Sequence, residues 1–165
     1  MTLFSGVIKI KVIEAESLKA TDYSTRIFQN SFKGFCVSPY VSLDIDDVLI
    51  GRTQAKPRTQ NPQYNEEFTS ELLHTGRFIN ATVFHDSALP PDEFVANCTV
   101  TLTHLKLGSN NLWFDLEPCG RLHLAIDLEG TFKEGMLLIL TCFFNVALKK
   151  VFINKTKKCP NNSPL

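Results

Sequence analysis

Hydrophobic and polar residues alternate along most of the first 130 positions, a pattern typical of half-buried β-strands. In residues 4–14, Ile8, Ile10 and Val12 point one way, whereas Lys9 and Lys11 point the other. Similar patterns predict further strands at 39–46, 48–53, 64–73, 78–85, 96–102, 112–116 and 122–128. Turn signals separate these segments. The sequence therefore predicts an all-β fold, an eight-stranded antiparallel β-sandwich with its loops gathered at the ends.

One connection between two of these strands has an unusual composition. Residues 86–92 contain Pro90 and Pro91, which donate no backbone N–H group to a sheet, and the apolar Leu89 directly before them. Acidic side chains lie close by at Asp86, Asp92 and Glu93. A metal-binding loop, a membrane-binding loop and a simple turn all fit this composition.

The charge distribution divides the chain into two parts. Residues 1–134 carry 12 basic and 17 acidic side chains, whereas residues 135–165 carry five lysines and no acid. Residues 136–148 are almost all apolar, but they fall short of the roughly 20 residues that span a bilayer. We predict a domain over 1–131 and an atypical tail, hydrophobic and then basic, over 132–165. A membrane anchor, a splice-variant end and a gene-model artefact are the alternatives for this tail.

The sequence shows no catalytic or cofactor-binding motif. The five cysteines have no zinc-site spacing, which favours free thiols in a reducing compartment. Neither a phosphate-binding glycine motif nor a nucleophile–base pair is evident. We therefore expect no enzymatic activity in this chain, no cofactor, and neither a nucleotide nor a nucleic acid as partner.

Several short motifs resemble the C2 domain of the calcium-independent, or novel, protein kinase C group, of the epsilon and eta type. They are Gly6-Val7-Ile8-Lys9-Ile10-Lys11, Pro39-Tyr40-Val41, Asn65-Glu66-Glu67-Phe68, Phe84-His85-Asp86, Phe94-Val95-Ala96-Asn97-Cys98 and Phe114-Asp115-Leu116-Glu117-Pro118. The resemblance runs from about Phe4 to Thr131 and implies an eight-stranded sandwich that docks on anionic membranes. No kinase motif follows it, so the chain resembles the regulatory front of such a kinase.

The resemblance also implies that calcium is not bound. Calcium-binding C2 domains use about five aspartates, because this hard cation requires many oxygen ligands. Four of the matching positions here are Ser38, His85, Ser87 and Glu93. We expect no metal site, and we expect Asp86 and Asp92 to shape their loop through hydrogen bonds to nearby N–H groups.

Without calcium, membrane affinity has to come from basic and apolar side chains. The candidates for lipid binding are Tyr23, Arg26, Lys33 and Leu89, and the resemblance supports Arg26 and Leu89 most directly. The alternative is that these are solvated charges and a leucine packed on its own loop. Outward-facing Lys9, Lys11, Arg52, Lys56 and Arg58 suggest either a second basic surface or an ordinary solvated sheet face. We interpret the single Trp113 as a packing residue.

A second functional hypothesis is protein binding. The segment containing Glu14, Glu16, Ser17, Leu18 and Lys19 lies where the family is held to bind an anchoring scaffold. The alternative is that the segment is simply the end of a strand followed by a loop. The expected partners are thus an anionic phospholipid membrane and an anchoring scaffold protein. The expected location is the cytoplasm, with reversible membrane association.

Overall fold

The computed structural model describes residues 2–19, 37–87 and 91–134. The eight strands are β1 (Thr2–Glu16), β2 (Pro39–Ile45), β3 (Val48–Arg52), β4 (Gln63–Gly76), β5 (Phe78–His85), β6 (Glu93–Thr101), β7 (Gly108–Asp115) and β8 (Arg121–Glu134). A 3₁₀ turn, Leu102–His104, follows β6. In the described part of the chain, no helix is long and apolar enough to cross a membrane.

The strands form two four-stranded antiparallel sheets, which confirms the predicted eight-stranded β-sandwich. The first sheet has the order β4-β1-β8-β7 and the second has the order β3-β2-β5-β6. Their inner faces enclose one core, to which β1 contributes Ile8, Ile10 and Val12 as the alternation predicts. Strand β8 continues to Glu134, where Phe132 packs edge-on against Phe4, so the strand extends three residues past the predicted domain boundary.

Strand register identifies the two ends of the sandwich. Ser38, Asp86 and the start of β6 meet at one end, because the Asp86 amide bonds the Ser38 carbonyl and His85 pairs with Glu93. Residues 56–62 join them there through backbone bonds to Val37 and Pro39. We call this the loop end. Asp46, Arg77 and the 3₁₀ turn lie at the opposite end, the far end.

Candidate functional site

His85 and Ser38 are joined directly at the loop end. The Ser38 backbone N–H donates a 2.9 Å hydrogen bond to Nδ1 of His85, whose side chain is buried. In return, the Asp86 N–H donates to the Ser38 carbonyl at 2.9 Å. The Ser38 hydroxyl accepts a 3.3 Å hydrogen bond from the Arg58 N–H. These bonds hold three separate chain segments together.

Asp92 closes the other side of the same end. Its carboxylate accepts a 2.9 Å hydrogen bond from the Tyr40 hydroxyl and a 3.3 Å bond from the Ser87 backbone N–H. The second bond is the loop-shaping contact that the sequence predicts for Asp92. Burial, and then the hydrogen bond to Asp92, raise the pKa of Tyr40 above its ordinary value, so the phenol stays protonated as the donor.

The four positions matched to calcium ligands suit a metal poorly. Ser38, His85, Ser87 and Glu93 offer a single carboxylate among them, and the Nδ1 lone pair of His85 already accepts the Ser38 N–H. Calcium takes six to eight oxygen ligands, several of them charged. Among the described residues, no three His, Cys, Asp or Glu side chains cluster as a metal site.

An aromatic row crosses the outer face of the second sheet near the loop end. The rings of Tyr40 and Phe84 stack with centroids 5.6 Å apart, and Phe84 meets Phe94 edge-on at 6.5 Å. The guanidinium of Arg52 lies 6.0 Å from the Tyr40 ring centroid. Phe94 is 49% exposed although it is a large apolar residue.

The residues predicted to bind lipid all fall outside the described residues. This applies to Tyr23, Arg26, Lys33 and Leu89, as well as to the tail after Glu134. The suggested second basic surface does not form as one face. Lys9 and Lys11 lie in the first sheet, whereas Arg52 lies in the second, and Lys9 is paired with Glu129 at 2.6 Å.

The segment predicted to bind a scaffold ends β1 and is held on several sides. Ser17 has a φ of 59° and donates its N–H to the side-chain oxygen of Asn61 at 2.8 Å. Lys19 is exposed, but Leu18 is only 1% exposed and packs in the core. The Leu18 side chain is therefore not presented to a partner, whereas Ser17 and Lys19 are exposed.

Glu14 and Glu16 lie near Trp113, which the sequence predicts to be a packing residue. Trp113 is 39% exposed and stacks on His123 with ring centroids 4.6 Å apart. The Arg121 guanidinium lies 5.2 Å from the Trp113 ring and pairs with Glu16, while Glu14 approaches His123 at 3.3 Å. Side chains alternate along a strand, so Trp113 points away from the face that carries Phe114, and this alternation is the sequence feature that indicates its exposure.

The sequence profile of the C2 domain matches residues 6–116. The chain belongs to the C2 domain family. This C2 domain is 42% identical over 135 residues to protein kinase C-like 1B of Caenorhabditis elegans, covering 81% of this chain and 19% of that protein. It is 41% identical over 139 residues to protein kinase C epsilon type of Rattus norvegicus, covering 82% and 19%.

The chain thus spans about a fifth of the length of these curated relatives. Solved structures support the fold of this C2 domain. The calcium-bound structure of two C2 domains of extended synaptotagmin 2 matches it with a TM-score of 0.65 and 23% identity, covering 79% of this chain and 48% of that one. The predicted similarity to the epsilon and eta types is confirmed, since the eta type of Homo sapiens is 35% identical over 141 residues, covering 81% of this chain and 20% of that protein.

Proposed function

We propose that this C2 domain is a calcium-independent phospholipid-binding module that brings a protein of the novel protein kinase C type reversibly to anionic membranes from the cytoplasm. The observation that carries the proposal is the hydrogen bond from the Ser38 N–H to His85 Nδ1. His85, at one position where related calcium sites place an aspartate, thus bonds within the protein, and the Ser38 hydroxyl, at another, accepts the Arg58 N–H.

Electrostatics favours this interpretation over a degenerate calcium site. A bound Ca²⁺ has to be compensated for its lost hydration by several charged oxygens, and the four matched positions supply one carboxylate, Glu93. Asp92 is already bonded to Tyr40 and Ser87. Protein contacts thus stabilise the loop end in the role that an ion has in a calcium-binding loop.

Membrane affinity would then come from side chains alone. Each Lys or Arg near an anionic surface contributes about 1 kcal/mol, and burying one leucine contributes about 1.5–3 kcal/mol. Tyr23, Arg26, Lys33 and Leu89 are the proposed contacts, and the resemblance to the family supports Arg26 and Leu89 most directly. A few such contacts give binding that is reversible, as a regulatory module requires.

Vesicle sedimentation tests the proposal. We expect the full chain to sediment with vesicles of phosphatidylcholine containing phosphatidic acid or phosphatidylserine, equally with calcium and with chelator. Arg26→Gln and Leu89→Ala should each weaken binding, whereas Lys133→Gln, at the far end, should not. Binding that requires calcium would overturn the proposal.

A protein-interaction module is the second candidate, and the surroundings of Trp113 favour it. Tryptophan and arginine are enriched among the residues that dominate binding energy in interfaces, and here Trp113 and Arg121 lie beside the carboxylates of Glu14 and Glu16. An anchoring scaffold would be the partner. Failure of the full chain to bind vesicles in low salt, together with saturable protein binding that Trp113→Ala abolishes, would favour this function.

A further inference from the structure

Phe94 faces solvent because of a β-bulge. Strands β5 and β6 pair Val83 with Ala96 but Phe84 with Phe94, which leaves Val95 as an extra residue. Val95 and Ala96 are consequently both buried. Without the bulge, Phe94 would share the inward parity of Ala96 and Val100. The bulge moves a large apolar ring out of the core at the edge of the loop end.

The exposed ring is supported from beneath. Phe84 contacts Phe94 edge-on, and Tyr40 stacks on Phe84 and is fixed in turn by its bond to Asp92. The Phe94 ring is therefore held in place at the loop end by a row of packed aromatic side chains. A ring held in this way loses little conformational entropy when it is buried in a binding partner or a membrane.

Charges around the row favour a lipid headgroup region as the occupant. The guanidinium of Arg52 lies at the other end of the row, over Tyr40, and Arg58 is exposed beside Ser38. Such groups pair well with phosphates. Asp86 and Glu93 also lie at the loop end, so the attraction of this region to anionic lipids is weak. An apolar contact therefore has to supply more of the membrane affinity.

We propose that Phe94 is a membrane-inserting residue, whose ring enters the boundary between headgroups and acyl chains while Arg52 and Arg58 contact lipid phosphates. The inference rests on the proposed lipid-binding function and adds to it a contact outside the residues that the resemblance supplies. Aromatic rings commonly occupy this depth of a bilayer. The contact orients the domain with the outer face of the second sheet, near the loop end, tilted toward the membrane.

Fluorescence locates the ring directly, since Trp113 is the only tryptophan. In a Trp113→Phe background of the full chain, Phe94→Trp places the sole indole at the loop end. Phe78→Trp, at the exposed start of β5, places it at the far end as a matched control. On vesicles containing phosphatidylserine, we expect a blue shift and quenching by brominated acyl chains for Phe94→Trp and neither for Phe78→Trp.

A binding measurement complements the spectroscopy. Phe94→Ala should reduce vesicle partitioning by about tenfold, and Phe94→Leu, which keeps an apolar side chain, should reduce it less. Vesicle binding with an unquenched Phe94→Trp indole would overturn this inference and leave the proposed function standing. A parent chain that binds no vesicles of this composition would overturn both.

Discussion

The Ser38 backbone N–H and the His85 imidazole form a 2.9 Å hydrogen bond that joins the start of β2 to the end of β5. Pro39 and His85 are also paired across these strands, and the Asp86 N–H bonds the Ser38 carbonyl, so the side-chain bond reinforces the last backbone contacts of the two strands. The contact is one of those that fix the shape of the loop end.

Replacing His85 should therefore destabilise the domain. His85→Ala removes the acceptor of the Ser38 N–H, and an unsatisfied donor of this kind costs about 1–3 kcal/mol. Urea denaturation would measure the loss. His104→Ala, an exposed histidine in the 3₁₀ turn, is the control and should stay within about 0.5 kcal/mol. Equal stability of the two variants would contradict the assigned contact.

Gly6 should tolerate no side chain. It has a φ of 151°, and a Cβ there would meet the Glu129 carbonyl oxygen and lie 2.6 Å from the Gly130 Cα. We expect Gly6→Ala to cost more than about 3 kcal/mol, because backbone has to move on two strands.

Gly108→Ala separates this steric cost from backbone strain. Gly108 has a φ of 85°, but nothing lies within 4 Å of its Cβ position. The expected cost is about 1–2 kcal/mol, from conformation alone. Comparable denaturation midpoints for Gly6→Ala and Gly108→Ala would show that the close approach of β1 and β8 at Gly6 adds no stability cost to a side chain there.

Stability should fall at alkaline pH partly through Cys98. Burial raises the pKa of this thiol from its ordinary value of 9.0 to about 11. The folded protein keeps the proton to a higher pH than the unfolded chain does. This contribution is therefore complete below pH 9 and is lost as the pH rises toward about 11, an effect of the order of 2 kcal/mol.

Urea denaturation at pH 7.5 and pH 10.5, with reductant present, would measure the decline. Cys98→Ala should lose less stability between these two pH values than the parent protein. Burial also raises the pKa of Tyr64, but Tyr64 is present in both proteins and contributes equally to their declines. Identical declines would show that the Cys98 thiol does not contribute.

Arg52 should contribute to vesicle binding, whereas Arg77 should not. Arg52→Gln removes one cation beside the aromatic row, which corresponds to about 1 kcal/mol, or about a fivefold loss of partitioning in low salt. Arg77→Gln removes the same charge at the far end, where Arg77 lies 3.8 Å from Asp46. Equal losses would indicate a response to net charge without a preferred orientation.

The sequence predicts the strands well because alternation is a local signal. Ile8, Ile10 and Val12 are buried as their spacing requires, and every predicted strand is present. Bulges break this signal. Extending the alternation of Ala96 and Val100 back to Phe94 places that ring inside, whereas the extra residue Val95 turns it outward.

The site is harder to predict because its contacts join distant segments. Nothing local to Trp113 indicates that Arg121 and His123 flank it, or that the paired carboxylates of Glu14 and Glu16 come from β1. The same holds for Leu18, which follows an exposed turn residue and yet enters the core. The lipid-binding prediction for Tyr23, Arg26, Lys33 and Leu89 stays a prediction.

Leu18 and Val37 also bear on how much the length of the chain between them can change during evolution. Both are buried, and adjacent residues hold them: the Leu18 N–H bonds the Gln60 carbonyl, and the Thr59 N–H bonds the Val37 carbonyl. The chain between them thus starts and finishes at one fixed place. Doubling the length of such a connection costs only about 0.6 kcal/mol in closure entropy. The number of residues between Leu18 and Val37 can therefore change during evolution with little loss of stability, provided that both buried anchors are kept.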